Sequence, residues 1–473
     1  MNTLLDKKTK IVCTIGPATE STEMLVKLLN TGMNVMRLNF SHGDFKEHQA
    51  RIVNLKEAMK KTGKTCAIMQ DLSGPKIRIG TFAAGQVTLK EGQLFTLTTE
   101  KIEGDENRVH INYPMLPKEV SKGHIIFLHD GRKKLEVVEV KGNDVVCKVL
   151  VGGDIKGKRG VNLPDSDLSI SSMTEKDKED FEFGIKNKVD YFALSFVRRP
   201  SDVIELREML NARKSDAKII SKIETPQSLK CIDEIISLSD AIMVARGDLA
   251  AEIPTEQVPV ATKNLIEKCN YAGKPVIHAT QVMESMISAP VPTRAEVSDC
   301  ANAVYDGTDA VMLSEETTLG QFPVQAVDTM ARIARTVEAD PRYIDGRNTM
   351  VCTGADNDSV IESAIMTAEG TEASAIVILT DDFNEIQSLA SAKPGCPVIA
   401  MTTKTIVAGQ ANLSFAVQSV LVSKMATRAD FVKEAKAYAL KNKFAIKGAR
   451  IVLVYGESFG KSKTVNTVSV DVI

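Results

Sequence analysis

Eight short apolar runs, each leaving into polar or charged residues and separated by stretches of helical period, constrain this chain more than any other feature. They are Ile11 to Ile15, Asn34 to Leu38, Cys66 to Met69, Tyr191 to Ser195, Lys218 to Ser221, Ala241 to Val244, Pro275 to Ile277 and Ala310 to Leu313. Strands that alternate with helices pair in parallel, and eight such units fit a (β/α)8 TIM barrel better than an open doubly wound sheet. The helix signals agree: Ser21 heads an apolar-periodic segment that stops at Gly32, and Thr174 with Asp177 forms a capping pair before the next one. In a barrel of this kind the chemistry sits at the C-terminal strand ends, so the residues leaving each run are the candidates for function.

One interval breaks the alternation. From Asp71 to about Thr174 the pattern changes to closely spaced short strands, Gln86 to Leu89, Leu94 to Thr98, His124 to Leu128, Leu135 to Val140 and Val145 to Leu150, with a turn at Gly142 to Asp144. The reading is an all-β domain inserted in a barrel loop, where it overhangs the rim as a lid. After Pro341 a further α/β pattern follows: a helix from Ser359 to Glu369, strands at Ala375 to Leu379 and Pro397 to Met401, a helix near Ala429 to Lys441, and a last strand at Arg450 to Tyr455. The expected division is a barrel domain at 1–70 and 171–345, a β-barrel lid at 71–170, and a C-terminal α/β regulatory domain at 346–473.

A net charge of -2 and a pI near 6.4 provide no field to draw the chain to nucleic acid or to an anionic membrane, which leaves small-molecule chemistry. The cysteines are scattered, without CxxC or Cys/His pairing, as expected of reduced thiols in a cytoplasmic protein. The first residues contain neither a long apolar segment nor a cleavage-site pattern.

The densest chemistry lies in IISKIETP (219–226) and AIMVARGDL (241–249), which deliver Lys222, Glu224 and Asp248 to strand exits. An ammonium and two carboxylates converging on one rim suit a divalent-metal site that handles phosphate or carboxylate oxygens. Taken alone, these residues fit a surface salt-bridge cluster equally well. MRLNFSHG (36–43) adds Arg37, Asn39, Ser41 and His42, although Ser41 and Asp44 are also in position to cap a helix. DLSGPKIR (71–78) brings Asp71, Lys76 and Arg78 around a Gly-Pro hinge, and HATQVMESM (278–286) brings Thr280, with Met283 and Met286 read as packing. GESFGKSK (456–463) has one residue too few between its glycines for a P-loop. Its backbone N–H groups could still hold an effector phosphate.

Taken together, KTKIVCTIGPAT, GMNVMRLNFSHG, DLSGPKIR, GVNLP, IISKIE, IMVARGDL, HATQVMESM and PTRAEVSDCANAVYDGTDAVML occur in the order and over the length that resemble pyruvate kinases of bacterial type. The resemblance implies a barrel, a β lid and a C-terminal domain that often binds a sugar-phosphate or nucleotide activator, usually in a homotetramer. It implies transfer of the phosphoryl group of phosphoenolpyruvate to ADP, giving pyruvate and ATP, the final step of glycolysis. By that likeness Glu224 and Asp248 hold Mg²⁺, with Mn²⁺ as an alternative. Lys222 and Arg37 neutralise the moving phosphoryl group, and Thr280 belongs to the proton relay. Gly247 and Asp248 meet the substrate carboxylate, Asn39, His42, Arg78 and Arg159 lie toward the nucleotide, and Asp130 acts from the lid. Two other readings stay open from sequence: a different Mg²⁺-dependent barrel doing carbon–carbon chemistry on phosphoenolpyruvate or an oxo acid, against which the inserted lid and Lys222-x-Glu224 argue, and a non-enzymatic regulatory paralogue that binds ligands through a decayed lid.

The resemblance also identifies departures. Relatives hold K⁺ at positions matching Asn39, Ser41, Asp71 and Leu72 and carry Glu where this chain has Lys76, so a fixed ammonium replaces the diffusible cation and K⁺ is expected not to be required. His129 replaces an Asp beside Asp130, Arg159 replaces a Lys, Asp165 a Gly, Ala250 and Ala251 a Gly-Val pair, and Glu315 a small residue. In the tail Asp381 and Asp382 stand where activator-binding relatives have a phosphate cradle. Ser423, Lys424, Gly456 and Gly460 are the weak effector candidates, with Thr427 beside them.

Overall fold

The computed structural model describes residues 7–129, 131–346, 356–457 and 464–473. Eight parallel strands close into a barrel: β1 (Lys10–Thr14), β2 (Val35–Asn39), β3 (Ala67–Asp71), β4 (Tyr191–Leu194), β5 (Lys218–Ile223), β6 (Ala241–Ala245), β7 (Val276–Ala279) and β8 (Ala310–Leu313). Each pairs with its neighbours in sequence order, and β8 returns to β1 with Lys10 opposite Ala310. The strands are apolar along their whole length because both faces are covered. Val12, Val35, Met69, Tyr191, Ile220, Met243 and Ile277 fill the inside, while Ile11, Leu38, Phe192, Ile219 and Val311 pack outward against the helices.

The expected caps form. Ser21 accepts from Met24 N–H before the helix Thr22–Thr31, and Thr174 and Asp177 make a capping box for Glu175–Asn187. Asp177 also takes the Gly74 N–H at 3.1 Å, which ties that helix to the hinge entering the insertion. Asp44 caps Phe45–Thr62 in a capping box with Glu47, whereas Ser41 has a different partner. Met283 and Met286 are fully buried.

The insertion leaves the barrel after β3 and returns before Glu175–Asn187. The small barrel expected there takes the form of a six-stranded sheet, running from Val161–Asn162 through Ile125–Leu128, Lys133–Lys141, Asp144–Val151 and Leu94–Thr98 to Arg108–His110, and a two-stranded ribbon of Gln86–Leu89 with Gly153–Lys156. Its own core holds Phe95, Leu97, Ile126, Leu135 and Val149. The C-terminal domain is a five-stranded sheet ordered Val417–Leu421, Val398–Thr402, Ala375–Leu379, Arg450–Tyr455 and Thr467–Val472. Arg450–Tyr455 is therefore not the last strand, since Thr467–Val472 follows it antiparallel along the sheet edge. No described helix is long and apolar enough to cross a membrane.

Candidate active site

Consecutive strands deliver the central cluster. β2 carries Arg37, β3 ends at Asp71, Ser195 follows β4, β5 carries Lys222, and Glu224 lies one residue beyond it. Parallel register puts Arg37 opposite Met69 and Asn39 opposite Asp71, so the guanidinium reaches forward to the exit of the neighbouring strand. Arg37 Nε donates to Asp71 Oδ2 at 2.7 Å and its Nη1 to Thr14 Oγ1 at 2.9 Å. Lys222 Nζ lies 3.1 Å from Asp71 Oδ1, 2.9 Å from Glu224 Oε1 and 2.7 Å from Ser195 Oγ. Ser195 donates to the Leu72 carbonyl at 2.6 Å, and Glu224 Oε2 accepts the Phe196 N–H at 2.8 Å.

All four charged groups are buried. Burial pushes the Asp71 carboxyl up, but Lys222 and Arg37 together hold it below the usual carboxylate range. Burial alone would lower Lys222; Asp71 and Glu224 instead hold it above the ordinary lysine value. Glu224 stays above its ordinary value because burial and the nearby charge of Asp248 outweigh the pull of Lys222. The salt-bridge alternative is thus half right: the charges do pair, but inside the rim, where a pair is costly to break.

On the neighbouring strands the helical turn Arg246–Leu249 follows β6 and presents an exposed Asp248. The Gly247 N–H donates to Thr280 Oγ1 at 2.7 Å, and that hydroxyl donates to the Ala279 carbonyl at 2.7 Å. Thr280 has φ 67°, a left-handed conformation that a β-branched residue adopts only where the surroundings fix it. Arg246 fixes it here, through Nη2 to the Thr280 carbonyl at 2.6 Å, Nε to the Ala279 carbonyl at 3.0 Å and Nη1 to Asp299 at 2.7 Å.

The family model for the pyruvate kinase barrel domain matches residues 6–327, and that for the pyruvate kinase alpha/beta domain matches residues 358–471. The chain belongs to the pyruvate kinase family. It is 44% identical to a pyruvate kinase of Geobacillus stearothermophilus over 474 aligned positions, covering 99% of this chain and 81% of the relative. It is 40% identical to one of Thermotoga maritima, covering 98% and 99%. A crystal structure of a pyruvate kinase from Cryptosporidium parvum superposes with a TM-score of 0.93 at 35% identity, over 100% of this chain and 97% of that one. Membership makes the chain a phosphotransferase, and the fold read from the sequence is the fold of the family.

The other anticipated residues of this pyruvate kinase family member lie as follows. Lys76 Nζ donates to Ser41 Oγ at 2.8 Å, and the Ser41 N–H donates to Asn39 Oδ1 at 3.1 Å. Leu72 is buried and its carbonyl is taken by Ser195. His42 is exposed, with its carbonyl hydrogen-bonded to His48 Nε2 at 2.9 Å. Arg78 is exposed and bridges Gly160 through its backbone, next to Arg159, whose Nε is buried without a hydrogen-bond partner among the described residues. Asp130 and Gly460 lie outside the described residues. Ser423 and Lys424 are exposed, Gly456 is half-buried, and Thr427 is the cap of the helix Arg428–Lys441, paired with Asp430. Asp381 is occupied by Thr402 and Thr403, and Asp382 caps Phe383–Ser391, so both carboxylates have structural work.

Sequence reasoning missed Ser195, Thr14 and Glu252. Glu252 accepts from Asn162 Nδ2 at 2.8 Å, linking the returning strand of the insertion to the loop that carries Asp248, and burial pushes its carboxyl up to about 7. A serine at a strand exit carries no charge to flag it. Glu252 was passed over for the neighbouring Ala250 and Ala251.

Proposed function

We propose that this chain transfers the phosphoryl group of phosphoenolpyruvate to ADP, with a divalent metal at Glu224 and Asp248 and with Lys76 in place of a monovalent cation. The observation that carries the reading is Lys222, held by Asp71 and Glu224 beside Arg37 at the C-terminal rim of the barrel. Phosphoryl transfer asks the protein for position and charge rather than covalent chemistry. Arg37, locked by Asp71 on the adjacent strand, and Lys222, locked by Asp71 two strands away and by Glu224 just beyond its own strand, cost little to reorganise as charge moves. Thr280, pinned by Arg246, holds a hydroxyl toward the same rim and serves the proton delivered to the enolate of pyruvate.

Two carboxylates within mutual repulsion, one buried and one exposed, form an oxygen donor set that fits Mg²⁺ or Mn²⁺ and leaves coordination positions for substrate. Such an ion, when bound, supplies Lewis-acid charge to phosphoryl and carboxylate oxygens. Arg78, His42 and Arg159 face the nucleotide in this reading, Asp130 acts from the insertion as it closes, and Ser423, Lys424 and the loop from Gly456 belong to an effector region. Assembly as a cytoplasmic homotetramer completes it, with exposed Val260, Tyr271 and Val291 available for contact.

The K⁺ reading follows from the occupancy of Ser41 and Asn39 by Lys76 and by each other. A coupled assay of ADP-dependent pyruvate formation in buffer with a bulky organic counter-cation tests both parts. Full turnover without K⁺ is expected; a large saturable rise on adding KCl would reject the role of Lys76. Pyruvate released without ADP would reject phosphoryl transfer.

A further inference from the structure

Two consecutive residues at the exit of β7, Thr280 with φ 67° and Gln281 with φ 54°, hold the left-handed conformation. Neither is a glycine or an asparagine, so the turn persists only where its surroundings impose it. The planar fork of Arg246 imposes it, taking the Ala279 carbonyl through Nε and the Thr280 carbonyl through Nη2. The third arm, Nη1, ends 2.7 Å from Asp299 Oδ1 on the helix Arg294–Tyr305. Among the described residues Asp299 is the only carboxylate partner of Arg246.

Behind Asp299 lies His278. Ile277 and Ala279 fill the inside of the barrel, so the residue between them turns outward, where it is 3% exposed. Its Nε2 lies 3.4 Å from Asp299 Oδ2. Burial pushes the imidazole down, so the ring is neutral and meets the carboxylate with its single N–H at Nε2. That leaves Nδ1 buried without a hydrogen-bond partner among the described residues. An orphaned acceptor is a cost that an apolar residue at this outward position avoids, and its retention points to the contact with Asp299. Burial pushes the Asp299 carboxyl up, but His278 and Arg246 outweigh it and hold the group down to about 2. Asp299 therefore stays ionised against Arg246.

We infer that Asp299, oriented by His278, is a positioning residue for the protonation half of the reaction: through Arg246 it holds the strained Thr280–Gln281 turn, and with it the Thr280 hydroxyl, at the rim. The inference rests on the phosphoryl-transfer reading above and deepens it. Asp299 itself gives no proton. In the step it serves, the π pair of the enolate takes a proton at the methylene carbon and becomes the new C–H bond, the enolate oxygen becomes the ketone, and the relay through Thr280 recovers its proton from water. Arg37 and Lys222, the groups assigned to phosphoryl transfer, bond instead to Asp71, Thr14, Glu224 and Ser195. The two halves of the reaction are thus anchored separately.

The full chain allows the halves to be read apart. By microscopic reversibility, a site that protonates the enolate also exchanges the methyl hydrogens of pyruvate, followed by proton NMR in D₂O with Mg²⁺ and inorganic phosphate. Phosphoryl transfer is read as ATP formed from phosphoenolpyruvate and ADP, by phosphorus NMR. In Asp299→Asn the exchange should slow at least about tenfold while ATP formation falls less than about threefold, and equal losses in both would overturn the proposal. Circular dichroism checks that the variant folds, and Asp299→Ala, which suits a helix interior, replaces it if it does not. In a Thr280→Val background, where the positioned hydroxyl is gone, Asp299→Asn should slow the exchange by no more than about twofold further, and a further loss of about tenfold would overturn the proposal. A parent that forms no ATP refutes the phosphoryl-transfer reading and what is built on it. A parent that forms ATP without exchanging methyl hydrogens refutes the role of Asp299 alone.

Discussion

Replacing Lys222 by Met should damage the barrel as well as the chemistry, in a way that pH and metal reveal. The ammonium lies within 3.1 Å of two buried carboxylates. At that range each contact is worth about 5 kcal/mol of attraction with an effective dielectric of about 20. Removing one member of a buried pair typically costs a net ~3–5 kcal/mol, because the partner is left uncompensated. Asp71 keeps Arg37, so the penalty falls on Glu224. Glu224 is already raised above its ordinary value, first by burial and then by Asp248, and losing Lys222 raises it further. A carboxyl raised in the folded state destabilises at pH above its folded value, and the penalty fades as pH falls through that value. Asp71 is the opposite case: its stabilisation is present above the unfolded carboxylate value and is lost only as pH falls through its depressed folded value, below the window used here.

The assay is the apparent melting midpoint of parent and variant at pH 7.5 and 5.5, with and without Mg²⁺. Multidomain unfolding is not two-state, so the gap between the two proteins is read rather than an absolute free energy. A gap of roughly 6–12 °C is expected at pH 7.5 for a loss of about 3 kcal/mol in a domain of this size, narrowing at pH 5.5 and on adding Mg²⁺. Turnover should fall by at least about 10³-fold. A gap independent of both pH and metal would refute the claim that Lys222 is the counter-ion of Glu224.

Thr280→Ser should keep turnover within about threefold, whereas Thr280→Val, which preserves shape but leaves the Gly247 N–H without its acceptor, should lower kcat at least about tenfold with a smaller change in KM; equal kcat in the two would remove the hydroxyl from the reaction. Gly409→Ala should lower the apparent melting midpoint by an amount equivalent to about 1–3 kcal/mol, because the added Cβ falls 2.0 Å from Asp190 Oδ1, which is buried where the C-terminal domain meets β3 and β4. Asp190→Ala in the same chain should recover part of that loss, and no recovery would show that the clash lies elsewhere. Lys76→Gln should make turnover depend on K⁺, with at least about tenfold stimulation, and an unstimulated variant would exclude Lys76 as the cation's substitute.

The barrel was legible because its physics is local. A run such as Ala310–Leu313 is apolar over its length, buried on both faces and bounded by a cap or glycine, and each of those signals lies within a few residues. The edge strand Thr467–Val472 was not legible, since TVSVDV reads as surface until its pairing with Arg450–Tyr455 is known. Arg108–His110 was too short to stand out and pairs in parallel with Leu94–Thr98, to which the segment 99–107 connects it. At the site, charged residues at strand exits announced themselves, but their partners did not. The Lys76 to Ser41 contact joins residues 35 apart, and the Lys222 to Asp71 contact residues 151 apart. Such convergence is a property of closure, which a linear reading reaches only through a family likeness.

Charge counting explains why the rim is built this way. Arg37, Lys222 and Lys76 face Asp71, Glu224 and Asp248, three cations against three carboxylates, and the first two cations are locked to buried partners, Arg37 to Asp71 on the neighbouring strand and Lys222 to Asp71 two strands away and to Glu224 beyond its own strand. A cluster that neutral has no net field with which to hold a substrate carrying both phosphate and carboxylate, and its desolvated lysine and arginine are already committed to Asp71 and Glu224. In the proposed reading a divalent cation held by Glu224 and Asp248 would add two positive charges and relieve the repulsion that keeps Glu224 raised, while Lys222 would stay available to the oxygens that gain charge. The buried pairing of Lys222 with Glu224 keeps the ammonium on station and ionised; in the proposed reading its partial exchange for substrate would couple occupancy of the carboxylates to the position of the lysine.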